Sequence, residues 1–441
     1  MNPNRNSEEI VALNNASMDQ ILATATTALE QNGVAHSSLS IRDVSGNSGS
    51  KTYLCCDEEL PKCIVKVSTG NSIMNSHPLT IKRVEEATKA LRENNIAPVI
   101  LMRGDDFHVE LSAGTSVMKD FFHFDDSLAP PAKLAGLMAK LHSTSTKWYD
   151  SLRSKFLDRD PKIADILSGV PSYAPVWCLP WSGIDTGMPV LGVGNPDPKT
   201  ARRILELQLE TGVFEKIMTC KAFFPVSHAA QRNVVVHNDF KPDNVLRDPD
   251  TGKLSVIDYD LVQVGPAIMD FGLPYMMWLG PRFTTFEFRK LFITEYLKAC
   301  ALPADDKSVH DFILDCEVNT LVAFPGLLSN IYDAEVPLLR GVRHPTAKSG
   351  FESGGPDIFP TGLQLVELLA NAVEKVRSDT ALGTLCIEKG VVTALMDTKA
   401  FGSEDLYLFL NEIRKKKMLR LFGIAEEEDG EIFVSDHARK S

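Results

Sequence analysis

Two carboxylates and a carboxamide stand close together in the segment 236–258, which is VHNDFKPDNVLRDPDTGKLSVID. Turn-forming residues at 248–252 separate two short apolar runs, and this pattern predicts a β-hairpin. Antiparallel pairing brings the open ends of a hairpin together, so Asn244 and Asp258 should meet in space. Asp239 lies just upstream, on a loop that we expect to open at the same end.

The chemistry that fits these three side chains is phosphoryl transfer. Mg²⁺ is a hard ion that takes one or two oxygen ligands from a protein while phosphates and water supply the others. Asn244 and Asp258 suit that role, which leaves Asp239 free to accept the proton of an attacking hydroxyl group. Lys241 follows two residues after Asp239, where its ammonium group could neutralise charge on the phosphoryl group in transfer.

The segment HNDFKPDN, followed by IDYD at 257–260, resembles the catalytic loop and metal-binding aspartate of the protein-kinase-like superfamily. Its His-Asn-Asp opening is similar to that of choline and ethanolamine kinases and aminoglycoside phosphotransferases. Asp270, MAKLHS at 138–143 and NIAP at 95–98 favour the choline/ethanolamine kinase-like group within that superfamily. The resemblance covers roughly residues 38–300. It implies a kinase that uses ATP and Mg²⁺ to phosphorylate the hydroxyl of a small molecule, with choline or ethanolamine the leading acceptors.

The resemblance also assigns nucleotide-binding roles in the first part of the chain. Lys66, on a β-like run, corresponds to the lysine that grips nucleotide phosphates, and such a lysine usually pairs with a helix glutamate. Glu85 is favoured over Glu86 for that pairing. A loop of small residues is expected to cover the phosphates, and it contains Gly46, Ser48, Gly49 and Ser50. A strand end is expected to contact adenine, and it contains Glu110 and Leu111.

Periodicity along the chain predicts an α+β fold with two lobes around a cleft. The expected N-lobe is a small antiparallel sheet with one packed helix, and the C-lobe is larger and mainly helical. The expected boundaries are 1–35 for an N-terminal extension with one helix, 36–112 for the N-lobe and 113–441 for the C-lobe. In the first part we predict helices at 18–31 and 80–94 and strands at 38–44, 52–56, 63–67, 99–102 and 107–111. In the second part we predict helices at 132–142, 200–219, 284–299, 308–323, 362–376 and 403–421.

Bulk composition excludes several classes of protein. The 441 residues carry a formal net charge of −12, which argues against nucleic acid as a main partner. The eight cysteines are scattered and form no CxxC pair, as is typical of reduced thiols in an intracellular protein. We expect neither a signal peptide nor a membrane span, because the N-terminus is polar and the apolar runs are short. A cytoplasmic protein with a small-molecule substrate is therefore expected.

Several alternatives remain open at this stage. His237 is expected to be a packed structural histidine, and Asp270 an anchor for the backbone of the catalytic loop. Tyr275 and Trp278 are three residues apart and suit either a helical core or a cage for a quaternary ammonium group. The acceptor could be another small hydroxyl compound, as in aminoglycoside phosphotransferases. A catalytically silent ATP-binding scaffold is the competing class, and the sequence leaves a homodimer open.

Overall fold

The computed structural model describes eleven stretches of the chain, and the structural statements below concern these residues. They are 12–45, 50–69, 78–117, 131–157, 161–173, 209–210, 212–271, 285–331, 362–398, 424–426 and 432–434. Sequence predictions that fall outside them include the helix at 403–421, the residues Gly46, Ser48 and Gly49, and the pair Tyr275 and Trp278.

The N-terminal part is a five-stranded antiparallel sheet with strand order β1-β2-β3-β5-β4. Alternate residues of the central strand β3 are buried, which is the period-2 pattern of a sheet with one packed face. All five strands lie where the sequence predicts them, within a few residues at each end. Their bounds are β1 Leu39–Asp43, β2 Lys51–Asp57, β3 Leu60–Val67, β4 Ile100–Arg103 and β5 Phe107–Leu111.

Helix α1 (Met18–Gln31) packs on this sheet. Ser17 and Gln20 form a capping box at its start, and its buried face, which includes Ile21 and Leu29, shares a core with Val65 and Val109 of the sheet. The preceding residues are tied down as well, because the backbone N–H groups of Leu13 and Asn14 donate to the Asp106 carboxylate at 2.7 and 2.6 Å. The N-terminal helix is thus part of the core of the sheet.

Helix α2 (Pro78–Glu93) packs differently. Its buried residues Val84, Ala87 and Leu91 belong to the same core as the helices of the second half of the chain. The turn after the helix continues this attachment, since the Ile96 carbonyl accepts a hydrogen bond from the Val256 N–H at 3.1 Å. Helix α2 therefore connects the sheet to the helical part.

The second part is mainly helical, as predicted. Helices α3 and α8 pack against each other, and α9 packs on α8 and on the helices that follow. The helical bounds are α3 Pro131–His142, α4 Asp150–Leu157, α5 Pro161–Ser168, α6 Val213–Thr219, α7 His228–Gln231, α8 Phe286–Ala299, α9 Asp306–Ile331, α10 Gly362–Ser378, α11 Thr380–Lys389 and α12 Val391–Thr398. Of these, α4, α5, α7, α11 and α12 were not predicted, and most of them are short. In the predicted helix 200–219, residues 209–210 are helical and α6 begins after Gly212, which has a φ of 75°, while residues 200–208 lie outside the described ranges.

Short strands lie between these helices, and the segment 236–258 with the candidate catalytic residues lies among these strands. Strand β6 pairs with β8, and β8 pairs with β9 as the predicted hairpin, in the register Val245↔Val256. Strand β7 pairs with β10, and β11 pairs with β12. Their bounds are β6 Thr115–Ser116, β7 Asn233–Val236, β8 Val245–Arg247, β9 Leu254–Val256, β10 Gln263–Pro266, β11 Ile424–Glu426 and β12 Ile432–Val434.

The chain thus has the predicted α+β fold, with an antiparallel sheet first and a mainly helical part after it. Within the described ranges, none of the helices combines the length and the apolar character that crossing a membrane requires. The boundaries of 1–35, 36–112 and 113–441 stay a proposal.

Candidate active site

The hairpin that positions the site is closed by local turn chemistry. One oxygen of the Asp248 carboxylate accepts the N–H groups of Asp250 and Thr251, both at 2.9 Å, and Gly252 adopts a φ of 65°. At the open end, the Ile257 N–H donates to the Asn244 carbonyl at 2.9 Å. This contact holds Asn244 beside the residues that lead into Asp258, as the turn pattern predicts.

The loop before the hairpin is anchored by one buried carboxylate. The backbone N–H groups of His237 and Asn238 donate to the two oxygens of Asp270 at 2.9 and 2.7 Å. The His142 ring lies 3.0 Å from the same carboxylate, which is fully buried. Asn238 has a left-handed φ of 62°, a conformation that asparagine tolerates better than most residues. Asp270 is therefore the backbone anchor that the sequence predicts.

His237 is held as a structural histidine. Its Nδ1 accepts the Asp239 N–H at 3.2 Å, so the proton of the neutral ring lies on Nε2, which donates to the Ile257 carbonyl at 2.9 Å. The side chain is fully buried. Both ring nitrogens are thus used to connect the Asp239 loop to Ile257, which lies between β9 and Asp258, and the expectation of a packed structural histidine is confirmed.

Asp239 lies at the centre of a compact polar cluster. The Asn244 side-chain amide donates to the Asp239 carbonyl and to its Oδ2, both at 2.9 Å. The Lys241 ammonium lies 2.8 Å from the same Oδ2. These contacts fix the carboxylate and leave its Oδ1 as the oxygen for a further partner.

Asp258 faces the nucleotide lysine expected from the sequence. Lys66 Nζ lies 3.6 Å from Asp258 Oδ1, and both side chains are partly exposed. Asp258 adopts a left-handed φ of 65°, which costs about 1 kcal/mol for a residue other than glycine and is typical of functional positions. The tertiary fold thus brings a lysine of the sheet to the end of the hairpin.

The two carboxyl groups differ in their electrostatics. Burial raises the pKa of Asp239, the neighbouring Asp258 charge raises it further, and the Lys241 charge opposes the shift only in part. Burial also acts to raise the pKa of Asp258, but nearby cations, Lys66 foremost, outweigh it and lower the pKa. Asp239 is therefore the better proton acceptor, and Asp258 is the more firmly ionised group.

The donor atoms suit a hard cation. Asn244 uses its amide nitrogen on Asp239, so its amide oxygen is the atom that could face a metal ion, and Asp258 supplies a carboxylate. Across the described residues, no cluster of three or more histidine, cysteine or acidic side chains suits a metal ion. Two oxygen ligands from protein fit Mg²⁺ that is also bound by phosphates and water.

The predicted pairing of Lys66 with Glu85 does not match the structure. The Glu85 carboxylate is about half exposed and lies 3.8 Å from Arg103 Nη1. The physical reason is helix orientation, because the buried face of α2 carries Arg83, Val84 and Ala87, and Glu85 points away from it. The carboxylate beside Lys66 is that of Asp258.

The remaining predicted nucleotide contacts have mixed outcomes. Ser50 is described and buried, immediately before β2. At the expected adenine-binding strand end, the Leu111 N–H donates to the Val99 carbonyl at 2.8 Å, so this donor is already used within the sheet. The Glu110 side chain contacts His108 at 2.9 Å and lies among the charges around Lys66 rather than facing outward.

Sequence reasoning missed two charged residues near Lys66, Arg83 and Asp260. Both are buried, and Arg83 Nη2 donates to the Asp260 carbonyl. A signal for Arg83 exists in the sequence, since it stands four residues before Ala87 on the apolar face of α2, where a charge is unexpected. Asp260 stands two residues after Asp258, past the end of β9, where strand alternation does not apply.

Comparisons with known proteins find several similar solved structures. The chain is similar to the solved structures of Plasmodium vivax ethanolamine kinase and of choline kinase from Cryptosporidium parvum Iowa II. The first similarity has 12% identity and a TM-score of 0.46 and covers 72% of this chain and 84% of that chain. The second has 13% identity and a TM-score of 0.46 and covers 90% of this chain and 100% of that chain.

A third similar structure is an aminoglycoside phosphotransferase in a ternary complex with streptomycin and ATP. This similarity has 19% identity and a TM-score of 0.40 and covers 70% of this chain and 91% of that chain. No curated protein matches the chain. At these identities and TM-scores, the structural similarities identify no substrate.

The family comparison adds a match in sequence. Residues 184–306 match the model of the phosphotransferase enzyme family APH. This segment contains Asp239, Lys241, Asn244 and Asp258. The segment 184–306 of this chain is thus similar to the phosphotransferase enzyme family.

Proposed function

We propose that this protein is an ATP-dependent kinase that transfers the γ-phosphoryl group to the hydroxyl of a small molecule, most directly choline or ethanolamine. The observation that carries the proposal is the convergence of Asp239, Asn244 and Asp258 with Lys66 from the sheet. Phosphoryl transfer depends mainly on positioning and charge stabilisation, and these four side chains supply both. A cytoplasmic location and a role in phospholipid precursor synthesis belong to the same proposal.

Each residue has a distinct role in this proposal. Asp239 accepts the proton of the attacking hydroxyl, and its raised pKa makes it a stronger base than an ordinary aspartate. Asn244 and Asp258 hold Mg²⁺, which would neutralise charge on the phosphate oxygens when bound. Lys66 contacts the nucleotide phosphates, and Lys241, beside Asp239, stabilises charge on the group in transfer.

The rest of the nucleotide site is proposed on the basis of the sequence. Gly46, Ser48, Gly49 and Ser50 would cover the phosphates, and the chain around Glu110 and Leu111 would contact adenine. Because the Leu111 N–H is bound to Val99, adenine contacts at that residue would have to use its carbonyl group. Two alternatives to the choline or ethanolamine reading are a kinase of another small hydroxyl compound and a silent ATP-binding scaffold.

The test is ADP release from Mg·ATP by the purified protein, across choline, ethanolamine, other amino alcohols, sugars and aminoglycosides. We expect choline or ethanolamine to stimulate turnover, and Asp239→Asn to reduce it by about 10²–10⁴-fold, the usual contribution of a general base. Nucleotide binding should persist in this variant. Asp250→Asn, in the exposed hairpin turn, is the matched control and should keep full activity.

Three other outcomes would redirect the proposal. Stimulation by a sugar or an aminoglycoside alone would replace the acceptor and keep the reaction. Nucleotide binding without stimulated turnover by any acceptor would favour the silent scaffold. Full activity of Asp239→Asn would contradict the assignment of the base.

A further inference from the structure

A chain of hydrogen-bonded side chains continues from Asp270 into the helical part of the protein. His142 Nε2, at the end of α3, lies 3.0 Å from Asp270 Oδ2, and His142 Nδ1 lies 2.7 Å from the hydroxyl of Tyr296 on α8. Tyr296 and Asp270 have no exposed surface, and His142 is 5% exposed. Arg232 Nη2 donates to the same Tyr296 hydroxyl at 3.3 Å. Because the middle of this chain is buried, its polar atoms depend on one another for hydrogen bonds.

The partners fix the direction in which each of these hydrogen bonds runs. The Asp270 carboxylate also accepts two backbone N–H groups of the loop that carries Asp239, at 2.9 and 2.7 Å. Its oxygens are acceptors, so the proton at the contact with His142 lies on Nε2. The Nδ1 atom of the neutral ring is then an acceptor, and the Tyr296 hydroxyl donates to it. The Tyr296 oxygen itself accepts from Arg232, since a guanidinium group only donates.

Packing alone does not account for a tyrosine at this position. The Tyr296 ring contacts those of Phe271 and Phe312, with centroids 4.9 and 5.6 Å apart, and a phenylalanine could make the same contacts. The hydroxyl adds a polar group that is unfavourable to bury unless it is hydrogen-bonded. Burial raises the pKa of the Tyr296 phenol, so the hydroxyl keeps its proton and can donate. The function of this hydroxyl is therefore to be found in its contact with His142.

We propose that Tyr296 is a positioning residue for the catalytic loop. Its hydroxyl holds the His142 ring so that Nε2 donates to Asp270, which in turn holds the backbone of the loop that carries Asp239. The inference rests on the proposed function, in which Asp239 is the base. Arg232 is only half-buried, so water can take its place, and its contribution should be smaller than that of Tyr296.

The first test reads the proton on His142 and needs no turnover. NMR of the protein with ¹⁵N-labelled histidine distinguishes the two neutral tautomers from the imidazolium, and His142→Gln identifies the signal of this ring. We expect the neutral tautomer with the proton on Nε2, because only then does the Tyr296 hydroxyl donate to Nδ1. A proton on Nδ1, in the other tautomer or in the imidazolium, would overturn the inference.

The second test follows the loop itself. Hydrogen exchange of the amides in 236–240 is measured by mass spectrometry, since the N–H groups that Asp270 accepts lie there. We expect Tyr296→Phe to speed their exchange by roughly two- to tenfold, the equivalent of one hydrogen bond. Tyr173→Phe, whose ring contacts Phe224, is the matched control and should exchange like the wild type. Wild-type exchange in Tyr296→Phe would contradict the positioning role.

The third test separates positioning from packing by kinetics. Tyr296→Phe should lower kcat by about tenfold, less than the roughly 10²-fold cost of misplacing reacting groups by about 1 Å. The affinity for a fluorescent ATP analogue should stay close to that of the wild type, because Lys66 lies on β3 and not on the loop. Equal losses of kcat and affinity would indicate a general disturbance of the fold and would overturn the inference.

A double-variant cycle asks whether the hydroxyl acts through the histidine. Glutamine can place an amide donor near the position of Nε2 but has no acceptor at the position of Nδ1, so Tyr296→Phe should have no further effect on kcat in His142→Gln. The same loss of kcat in both backgrounds would overturn the inference.

The outcomes keep the two proposals apart. If the wild-type protein phosphorylates no acceptor, the proposed function fails, and the His142 tautomer and the loop exchange rates still decide whether Tyr296 positions the loop. If Tyr296→Phe does not fold, the tautomer of the wild-type protein decides the result.

Discussion

At the scale of single residues, the same side-chain type has two environments in this site. Asp239 and Asp258 are both partly buried carboxylates, yet the pKa of the first is raised and that of the second is lowered. The difference follows from their cations. At Asp258 the nearby cations, Lys66 foremost, together lower the pKa by more than burial raises it, whereas at Asp239 the charge of Lys241 offsets the effect of burial only in part. Environments that separate the pKa values of two titratable groups commonly assign them to base and ligand roles.

A prediction for Asp258 follows from this assignment. Asp258→Asn removes the carboxylate that we propose as a Mg²⁺ ligand, so the affinity for Mg²⁺ in the presence of ATP should fall by on the order of 10- to 100-fold. Isothermal titration of the nucleotide at several Mg²⁺ concentrations measures the change. The same substitution at Asp250 should leave the affinity unaltered, and an unaltered affinity for Asp258→Asn would count against its metal role.

At the scale of elements, the join between the sheet and the hairpin depends on one glycine. Gly114 stands just before β6, with a φ of 108°. A Cβ atom there would lie 1.9 Å from the Arg247 carbonyl oxygen of β8, well inside contact distance. Only glycine allows the two backbones to approach this closely and also adopts this φ freely.

Gly114→Ala should therefore lower the free energy of unfolding by about 1–3 kcal/mol, because it adds both backbone strain and a clash with backbone atoms. Urea unfolding followed by circular dichroism gives this difference. Gly136→Ala is the control: it lies within helix α3 with open space around it, and should be neutral or stabilising by up to about 1 kcal/mol. A neutral Gly114→Ala would show that β6 can move away from β8.

Helix α1 provides a second prediction at this scale. Leu29 is fully buried between the helix and the sheet, so Leu29→Ala should cost about 2–5 kcal/mol of unfolding free energy. Denaturant unfolding of the full chain measures it, with the exposed neighbour Glu30→Ala as the control. If Leu29→Ala lowers the free energy of unfolding by less than Glu30→Ala does, α1 contributes little to the core of the sheet.

At the scale of the whole molecule, helix α2 belongs to two environments at once. Its apolar face is part of the core of the helical lobe, while the strands that follow it complete the sheet. Its C-terminal end is bound to the helical part as well, because the Asn94 side chain donates to the Lys140 carbonyl at 2.9 Å and to Thr144 at 3.1 Å. Ligand binding between the lobes should therefore stabilise both parts together.

This linkage predicts a thermal shift. Mg·ATP at about one hundred times its dissociation constant should stabilise the folded chain by about 2.7 kcal/mol, seen as a higher melting temperature in differential scanning fluorimetry. Lys66→Met and Asp258→Asn should each reduce the shift, because they remove charges that face the phosphates or the cation. An equal shift in wild type and both variants would place nucleotide binding elsewhere on the molecule.

The elements with strong local signals could be predicted from the sequence. The helix at 18–31 has a capping serine and a regular apolar face, and it lies as predicted. The short helices α4 and α5 were missed because each has only two turns, too few for a clear periodicity. The convergence of Asn244 with the segment of Asp258 was predictable because a tight turn fixes it through local geometry.

The segment similar to the phosphotransferase family, the hairpin and the side chains that could do chemistry were predictable from the sequence, since these depend on neighbours along the chain. Which charge lies beside Lys66 depends instead on how distant segments pack. Helix α2 is rotated so that Arg83 faces inward and donates to the Asp260 backbone carbonyl, while Glu85 stays about half exposed beside Arg103. The tertiary structure also decided that α1 completes the core of the sheet, because no local pattern specifies which surface an amphipathic helix will cover.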